Sequence, residues 1–374
     1  MADDSRLSSV LDDEGRLFGV VNVIDALVVL VVIALLIAGF ALLTPGTSDT
    51  RYATIDLGAQ PDHTAAQITP GDEWDVDGGL TITDVYMYPA DEDADGDTNV
   101  MVRAAVNGTT IDAEQGDGTP ISFNGDPLRF DRQLTIETVE WAAEGTVVDI
   151  GPEDDSLETV SEDLVVQTIV DPTTAQQVQP GDTYTVGDTE LLSVQSVTVY
   201  PTATPNERRV VLGVTAAARL DDSVPLFGDQ PIQAGTTLPV RTGAYSLTGD
   251  VVNTGSLEEP GTPATRTATI TIDSLPQDQA DRLSVGMTEA VGDVQTAEVV
   301  AVDSQPREEV VQSGGEYQVI EHPRNREVTL TVDIDAYNQN DGTVRFRGAP
   351  LRIDDDVTFT LDGVTVQGEL TSIE

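Results

Sequence analysis

The segment VTLTVDID, Val328–Asp335, alternates apolar and polar residues without a break, the period of a half-buried β-strand. NVMVRAAV from Asn99 and RVVLGVTA from Arg209 occupy the corresponding place in two earlier stretches. Each of the three follows a second strand signal: LTITDVYMYP, LLSVQSVTVYP and TAEVVAVD. Gly, Pro, Asn and Asp recur between the apolar runs, as turns between short strands require. No convincing amphipathic helix interrupts them.

The pattern is threefold. FNGDPLRFDRQLTIETVEWAAEGTVVDI from Phe123, LFGDQPIQAGTTLPVRTGAYSLTGDVVNT from Leu226 and FRGAPLRIDDDVTFTLDGVTVQGELTSI from Phe346 share their landmarks. An aromatic stands four positions before a proline in each: Phe123 and Pro127, Phe227 and Pro231, Phe346 and Pro350. An aliphatic follows that proline by seven positions (Leu134, Leu238, Val357) and a glycine by 18 (Gly145, Gly249, Gly368). An upstream block also recurs: AAQITPGDEW, AQQVQPGDTY and ADRLSVGMTE, aligned on Gly71, Gly181 and Gly286, the third without Pro-Asp. Spacings above 100 residues mean whole modules, not solenoid repeats. The prolines are expected to start edge strands or close turns, and Gly145, Gly249 and Gly368 to supply a bulge or tight bend.

A different pattern opens the chain. Ala26–Leu43 is apolar throughout. Its 18 residues would reach roughly 27 Å as a helix, and Val20–Ile24 adds to that. Pro45 and Gly46 end the run, and the acidic residues before it do not suit a cleaved export signal. Asn22 and Asp25 suit a helix start as caps. The expected fold class is therefore an N-terminal transmembrane α-helix followed by three tandem all-β modules, each a small barrel or sandwich of about 100 residues. The expected divisions are a cytoplasmic segment at 1–21, the helix at 22–45, and modules at 51–151, 163–254 and 266–374. The polar stretches Gly151–Asp163 and Asn253–Arg266 read as linkers of a semi-flexible string. Arg6 and Arg16 ahead of the run, against Arg51 after it, favour a cytoplasmic N-terminus and modules outside the cell.

Glu14, Gly15, Arg16, Leu17, Phe18, Gly19, Asn22, Ile24 and Asp25 resemble the opening of a membrane family, domain of unknown function family 4330. The resemblance implies a single-pass membrane protein with a β-rich outer domain and assigns no activity. The outer module would be present three times here.

Composition changes where such a protein would work. Sixty-six acidic residues face 18 basic ones, all arginine, for a net charge of −48. Self-repulsion on that scale opposes compact folding at low salt and is screened at molar salt. An extreme halophile, most simply an archaeon, fits. The acidity excludes nucleic acid as a partner. The absence of cysteine excludes disulfides, thiolate metal sites and a Cys nucleophile, and His63 and His322 are too few for a His-rich zinc site. No nucleophile elbow, phosphate loop or dinucleotide fingerprint is present, so the chain reads as a non-enzyme. Trp74 and Trp141 read as core or rim residues of the first module.

Two local motifs carry chemistry. Asp91, Asp93, Asp95 and Asn99 fall at positions 1, 3, 5 and 9 of a calcium loop with Gly96 at 6, but Val102 stands where a bidentate Glu belongs. This is a weak Ca²⁺ candidate beside the reading as a solvated acidic loop; no other cofactor is expected. Asn107-Gly108-Thr109 is a glycosylation sequon, expected in a loop. The functional expectation is a membrane-anchored envelope protein with a binding or structural role. It would touch membrane lipid through 22–45 and an envelope protein or glycan through its modules. An accessory subunit of an export or surface-polymer assembly is the second reading, an extracellular hydrolase a third, and a processed filament subunit a fourth.

Overall fold

The computed structural model describes residues 16–17, 21–22, 48–90, 97–111, 120–151, 153, 157–292, 294–313 and 316–374. The first strands, β1 (Arg16–Leu17) and β2 (Val21–Asn22), form a small antiparallel pair in which Arg16 lies opposite Asn22. Asn22 is thus in a strand and not at a helix cap. Residues 23–45, including Asp25, lie outside the described residues. No helix among the described residues is long and apolar enough to cross a membrane. The expected transmembrane helix is therefore corrected: the described chain is all-β, with one-turn helices only.

The first module comprises β3 (Ser48–Gln60), β4 (Glu73–Trp74), β5 (Leu80–Pro89), β6 (Thr98–Thr110), β7 (Ile121–Phe123), β8 (Asp126–Pro127), β9 (Gln133–Glu137) and β10 (Ala142–Gly151). The second comprises β11 (Thr159–Val170), β12 (Thr183–Val186), β13 (Thr189–Pro201), β14 (Arg208–Asp221), β15 (Val224–Phe227), β16 (Gln230–Pro231), β17 (Thr237–Arg241) and β18 (Ser246–Thr254). The third comprises β19 (Thr262–Pro276), β20 (Thr288–Val291), β21 (Val294–Ser313), β22 (Glu316–Asn338), β23 (Val344–Phe346), β24 (Ala349–Leu351), β25 (Asp356–Leu361) and β26 (Val364–Ile373). Each module is one antiparallel eight-stranded sheet in the order β4–β5–β6–β3–β10–β9, with β7 paired to β6 and β8 to β7; the labels advance by eight from module to module. The sheet curls on itself. In the third module its ends meet, where the Asp362 amide donates to the Thr288 carbonyl at 2.9 Å.

Strand alternation fills the inside of each curl. Val100, Val102, Ala104 and Val106 line the first; Val210, Leu212, Val214 and Ala216 the second; Val328, Leu330, Val332 and Ile334 the third. One-turn helices close one side: α1 (Asp62–Ala65), α2 (Pro172–Gln177) and α3 (Gln277–Ala280), each burying an alanine, Ala65, Ala175 and Ala280. Gly71, Gly181 and Gly286 follow with φ of 99°, 93° and 89°, left-handed backbone that a side chain strains. Each donates its amide to a carbonyl in the second strand that follows, Ile82 in β5, Val194 in β13 and Val299 in β21.

The proline landmark behaves as expected: Pro127, Pro231 and Pro350 lie in the edge strands β8, β16 and β24. The glycine landmark does not. Gly145, Gly249 and Gly368 sit in regular ladder, directly opposite Leu134, Leu238 and Val357, and the bulge comes three residues later, at Val148, Val252 and Thr371. Close packing is the reason for glycine here. A Cβ at 145 would stand 2.6 Å from Leu57 Cδ2, at 249 it would stand 2.4 Å from Val166 Cγ1, and at 368 it would stand 2.7 Å from the Thr271 carbonyl oxygen.

Candidate functional site

Buried polar and aromatic side chains gather at the junctions between modules. In the first, the phenol of Tyr86 on β5 is only 1% exposed. It accepts from the Gly228 amide at 3.1 Å and lies 3.3 Å from the Leu226 carbonyl. Burial pushes its pKa up to about 12. Tyr88 stacks on Tyr86 and meets Phe227 edge-on, with centroids 5.5 and 5.9 Å apart. The turn after Phe227, one of the repeated aromatic landmarks, thus rests on the outer face of the preceding sheet. Further along, Tyr184 hydrogen-bonds Asp62 and Thr98, each at 2.6 Å, and Arg241 forms an ion pair with Asp97. Burial, then the Asp62 carboxylate, raise the Tyr184 phenol as well. The first two modules share one continuous hydrophobic core cluster.

The second junction repeats this with different chemistry. Arg209 Nη1 donates to the Arg347 carbonyl at 2.8 Å, and a Cβ on Gly348 would lie 2.8 Å from Gln167 Oε1. Tyr200 and Glu259 share a short hydrogen bond, Tyr337 sits beside them, and burial raises both phenols and the carboxyl. The linkers are docked rather than loose. Leu157 is buried against Tyr86 and Met101, Arg103 Nη2 donates to the Glu153 carbonyl, and Ser196 Oγ donates to the Leu257 carbonyl. The expectation of a semi-flexible string is corrected on this point.

Two clefts flank the first junction. One, of about 760 Å³, is lined by Tyr88, Asn99, Phe227 and Pro231. The other, of about 550 Å³, holds Arg103 and Arg219 among Asp149, Asp221, Asp222 and Asp229. Arg103 is spent on Thr54 and Asp149, at 2.8 and 2.9 Å. Neither cleft pairs a nucleophile with a base.

The residues singled out from sequence scatter. Asp91, Asp93, Asp95 and Gly96 lie outside the described residues. Asn99 is half-buried in β6 opposite Tyr88. No group of three or more candidate ligands able to hold a metal occurs among the described residues. Asn107 is exposed, but in strand β6 rather than a loop, where its Oδ1 accepts from Thr50 Oγ1 at 2.6 Å. His63 is exposed in α1; His322 Nδ1 accepts the Arg324 and Asn325 amides. Trp141 is 5% exposed and donates to Asp72, and half-buried Trp74 packs edge-on to Phe123. Sequence reading missed Tyr86, Tyr184 and Arg241. Tyr86 carried a signal, apolar or aromatic side chains on both parities of LTITDVYMYP; Tyr184, in the alternating strand TYTV, and Arg241 carried none.

No curated protein and no solved structure matches the chain. Residues 9–70 match the family model described as Domain of unknown function (DUF4330), a likeness that covers the opening segment, β3 and α1 and comes with no assigned activity.

Proposed function

We propose that this chain is a non-enzymatic protein of the cell envelope of a halophile, in which three docked β modules serve as a stiff binding or spacing element outside the cell. The observation that carries the reading is the junction chemistry. Buried phenols, an ion pair and a shared core hold module to module, as a spacer requires and a hydrolase does not. The clefts support it too, since neither assembles an acid and base around a protected volume. The arginine-only, strongly acidic composition supports a molar-salt medium. The apolar run Ala26–Leu43 supports attachment to the membrane, and the DUF4330 likeness lies over that same segment.

Fractionation of native cells followed by protease shaving tests this. The chain is expected with the membranes, and brief proteolysis of intact cells should release peptides from residues 48–374 while peptides from 1–25 stay protected. Recovery in the soluble cell interior, or modules untouched until lysis, would overturn the reading.

A further inference from the structure

The three modules dock in one direction. The hairpin turn after the landmark aromatic of one module rests on the outer face of the module before it. Among the described residues this sense leaves two surfaces without a docked module: the hairpin side of module 1 and the far end of module 3.

The far end of module 3 is built differently from its counterparts. Pro89 pairs with Thr98, Pro201 with Arg208 and Pro306 with Arg326, so these are equivalent points in the three sheets. Between them the second module has a short tip, residues 202–207, and the first has only eight residues of sequence, 90–97. The third extends a two-stranded arm, residues 307–325, whose ladder runs from Glu308 opposite Glu321 to Ser313 opposite Glu316. Val310 lies opposite Val319, with Tyr317 on the same side, and the three are 64%, 60% and 76% exposed. An isolated two-stranded hairpin is marginal in water, and like charges placed opposite each other weaken it further. An arm of this kind is stabilised by a surface that covers Val310, Val319 and Tyr317.

Module 1 presents the one docking side that no preceding module occupies. Register places Asn107 where module 2 has Ala217, and Glu137 where it has Arg241. Val139 in the turn that follows Glu137 is fully exposed. One opposite-charge pair is available with the signs exchanged, on an arm that also carries Glu308, Glu309, Glu316 and Glu321. Within the chain an acid on the tip, Asp97, meets Arg241. At the unmatched ends the exposed base Arg324 belongs to the arm, and the exposed acid Glu137 to module 1.

We propose that the arm of module 3 docks on the open hairpin side of module 1 of a second copy, so that copies join head to tail. The contact keeps the order of the two junctions already built, the hairpin side of one module toward the end of the module before it, but is made through the arm instead of the outer sheet face. It is heterologous, and so it forms rings or open filaments rather than a closed pair. It also makes a glycan on Asn107 and the joined state mutually exclusive.

The absence of cysteine makes a clean test possible. Full-length chain in detergent and molar salt is examined by sedimentation velocity and by oxidative crosslinking of Tyr317→Cys mixed with Val139→Cys. Concentration-dependent association and 317-to-139 crosslinks are expected. Replacing residues 307–325 by the tip sequence of residues 202–207 should raise the dissociation constant at least about tenfold, as loss of a central apolar anchor does. Glu137→Arg should weaken association and Glu137→Arg with Arg324→Glu restore it, a recovery that misfolding cannot produce. A monomer at all concentrations, association that survives loss of the arm, or crosslinks confined to 317 with 317 would overturn the proposal.

Discussion

Tyr86→Phe removes one oxygen from the first junction and almost no volume. The Gly228 amide then loses its acceptor, and one of the Leu226 and Ala217 carbonyls, 3.3 and 3.4 Å away, loses a donor. Leaving a buried donor unpaired costs about 1–3 kcal/mol. If modules 1 and 2 unfold as one unit of about 200 residues, a loss near 2 kcal/mol lowers the melting temperature by roughly 4–8 °C. Calorimetry in molar salt reads the shift, and hydrogen exchange read by mass spectrometry on the peptide around Gly228 locates it. A pH series adds a signed check. The phenol is neutral when folded, with its pKa raised from 10.0 to about 12. Its stabilisation is therefore complete below pH 10 and is lost as the pH rises toward 12, an effect on the order of 3 kcal/mol at most. Tyr86→Phe should flatten that alkaline limb. An unchanged melting temperature together with unchanged exchange at Gly228 would refute docking of the modules and restore the loose string.

Gly249→Ala should destabilise module 2 by about 1–3 kcal/mol, because the new methyl strikes Val166 at 2.4 Å; chemical denaturation of the full chain reads this, and an effect below ~0.5 kcal/mol would show that the strands can separate freely. Glu289→Gln leaves the buried Arg347 guanidinium, 7% exposed and ion-paired to Glu289 at 2.5 Å, without its counter-charge; a loss of about 3–5 kcal/mol confined to module 3 is expected by exchange or limited proteolysis. Raising salt from about 0.1 to 1 M shrinks the screening length from about 10 to 3 Å, so the melting temperature should climb steeply over that range; a flat profile would remove the halophile reading.

The inside of each sheet was legible from the sequence because its positions keep the period of two. The landmark offsets were legible as register: the aliphatic at seven and the glycine at 18 after the proline are the two halves of a cross-strand pair. What the offsets could not tell was why the residue is glycine. A close approach between strands leaves no local trace, whereas the positive φ of Gly71 sits beside turn residues that announce it. The junctions were half-legible. NVMVRAAV carries Val100, Met101 and Val102 in succession, the mark of a strand covered on both sides, while VTLTVDID alternates strictly. Each linker likewise holds one Ser-Leu-Glu in an otherwise polar run, at Leu157 and Leu257, where the linker docks. Of the two candidate motifs, the sequon was visible but its placement in a strand was not, since β6 runs on past the residues where alternation fades.

The same cross-strand pair on the outer face shows how one fold is given three places in a stack. It is Tyr86 with Met101 in module 1, Thr198 with Val211 in module 2, and Asp303 with Thr329 in module 3. Tyr86, Met101 and Val211 are at most 4% exposed beneath the next module, whereas Asp303 is open to solvent. The inside of the sheet is held apolar in all three by the need for a core, so these outer positions are where a repeat is free to specify a neighbour or its absence. A repeat array needs a polar outer face on the module that ends it, and the Asp303–Thr329 pair supplies one. Val310, Tyr317 and Val319, on the arm that β21 and β22 extend, are among the most exposed apolar side chains of module 3, with Val285 and Ile353 elsewhere on it. A second copy docking by the sheet face would have to cover Asp303, while docking by the arm leaves that carboxylate in water. Asp303→Tyr with Thr329→Met rebuilds the module 1 pair at the end of the stack. It should create a second mode of association that is independent of the arm, whereas a variant that associates no better than the parent would show that the outer pair does not set docking.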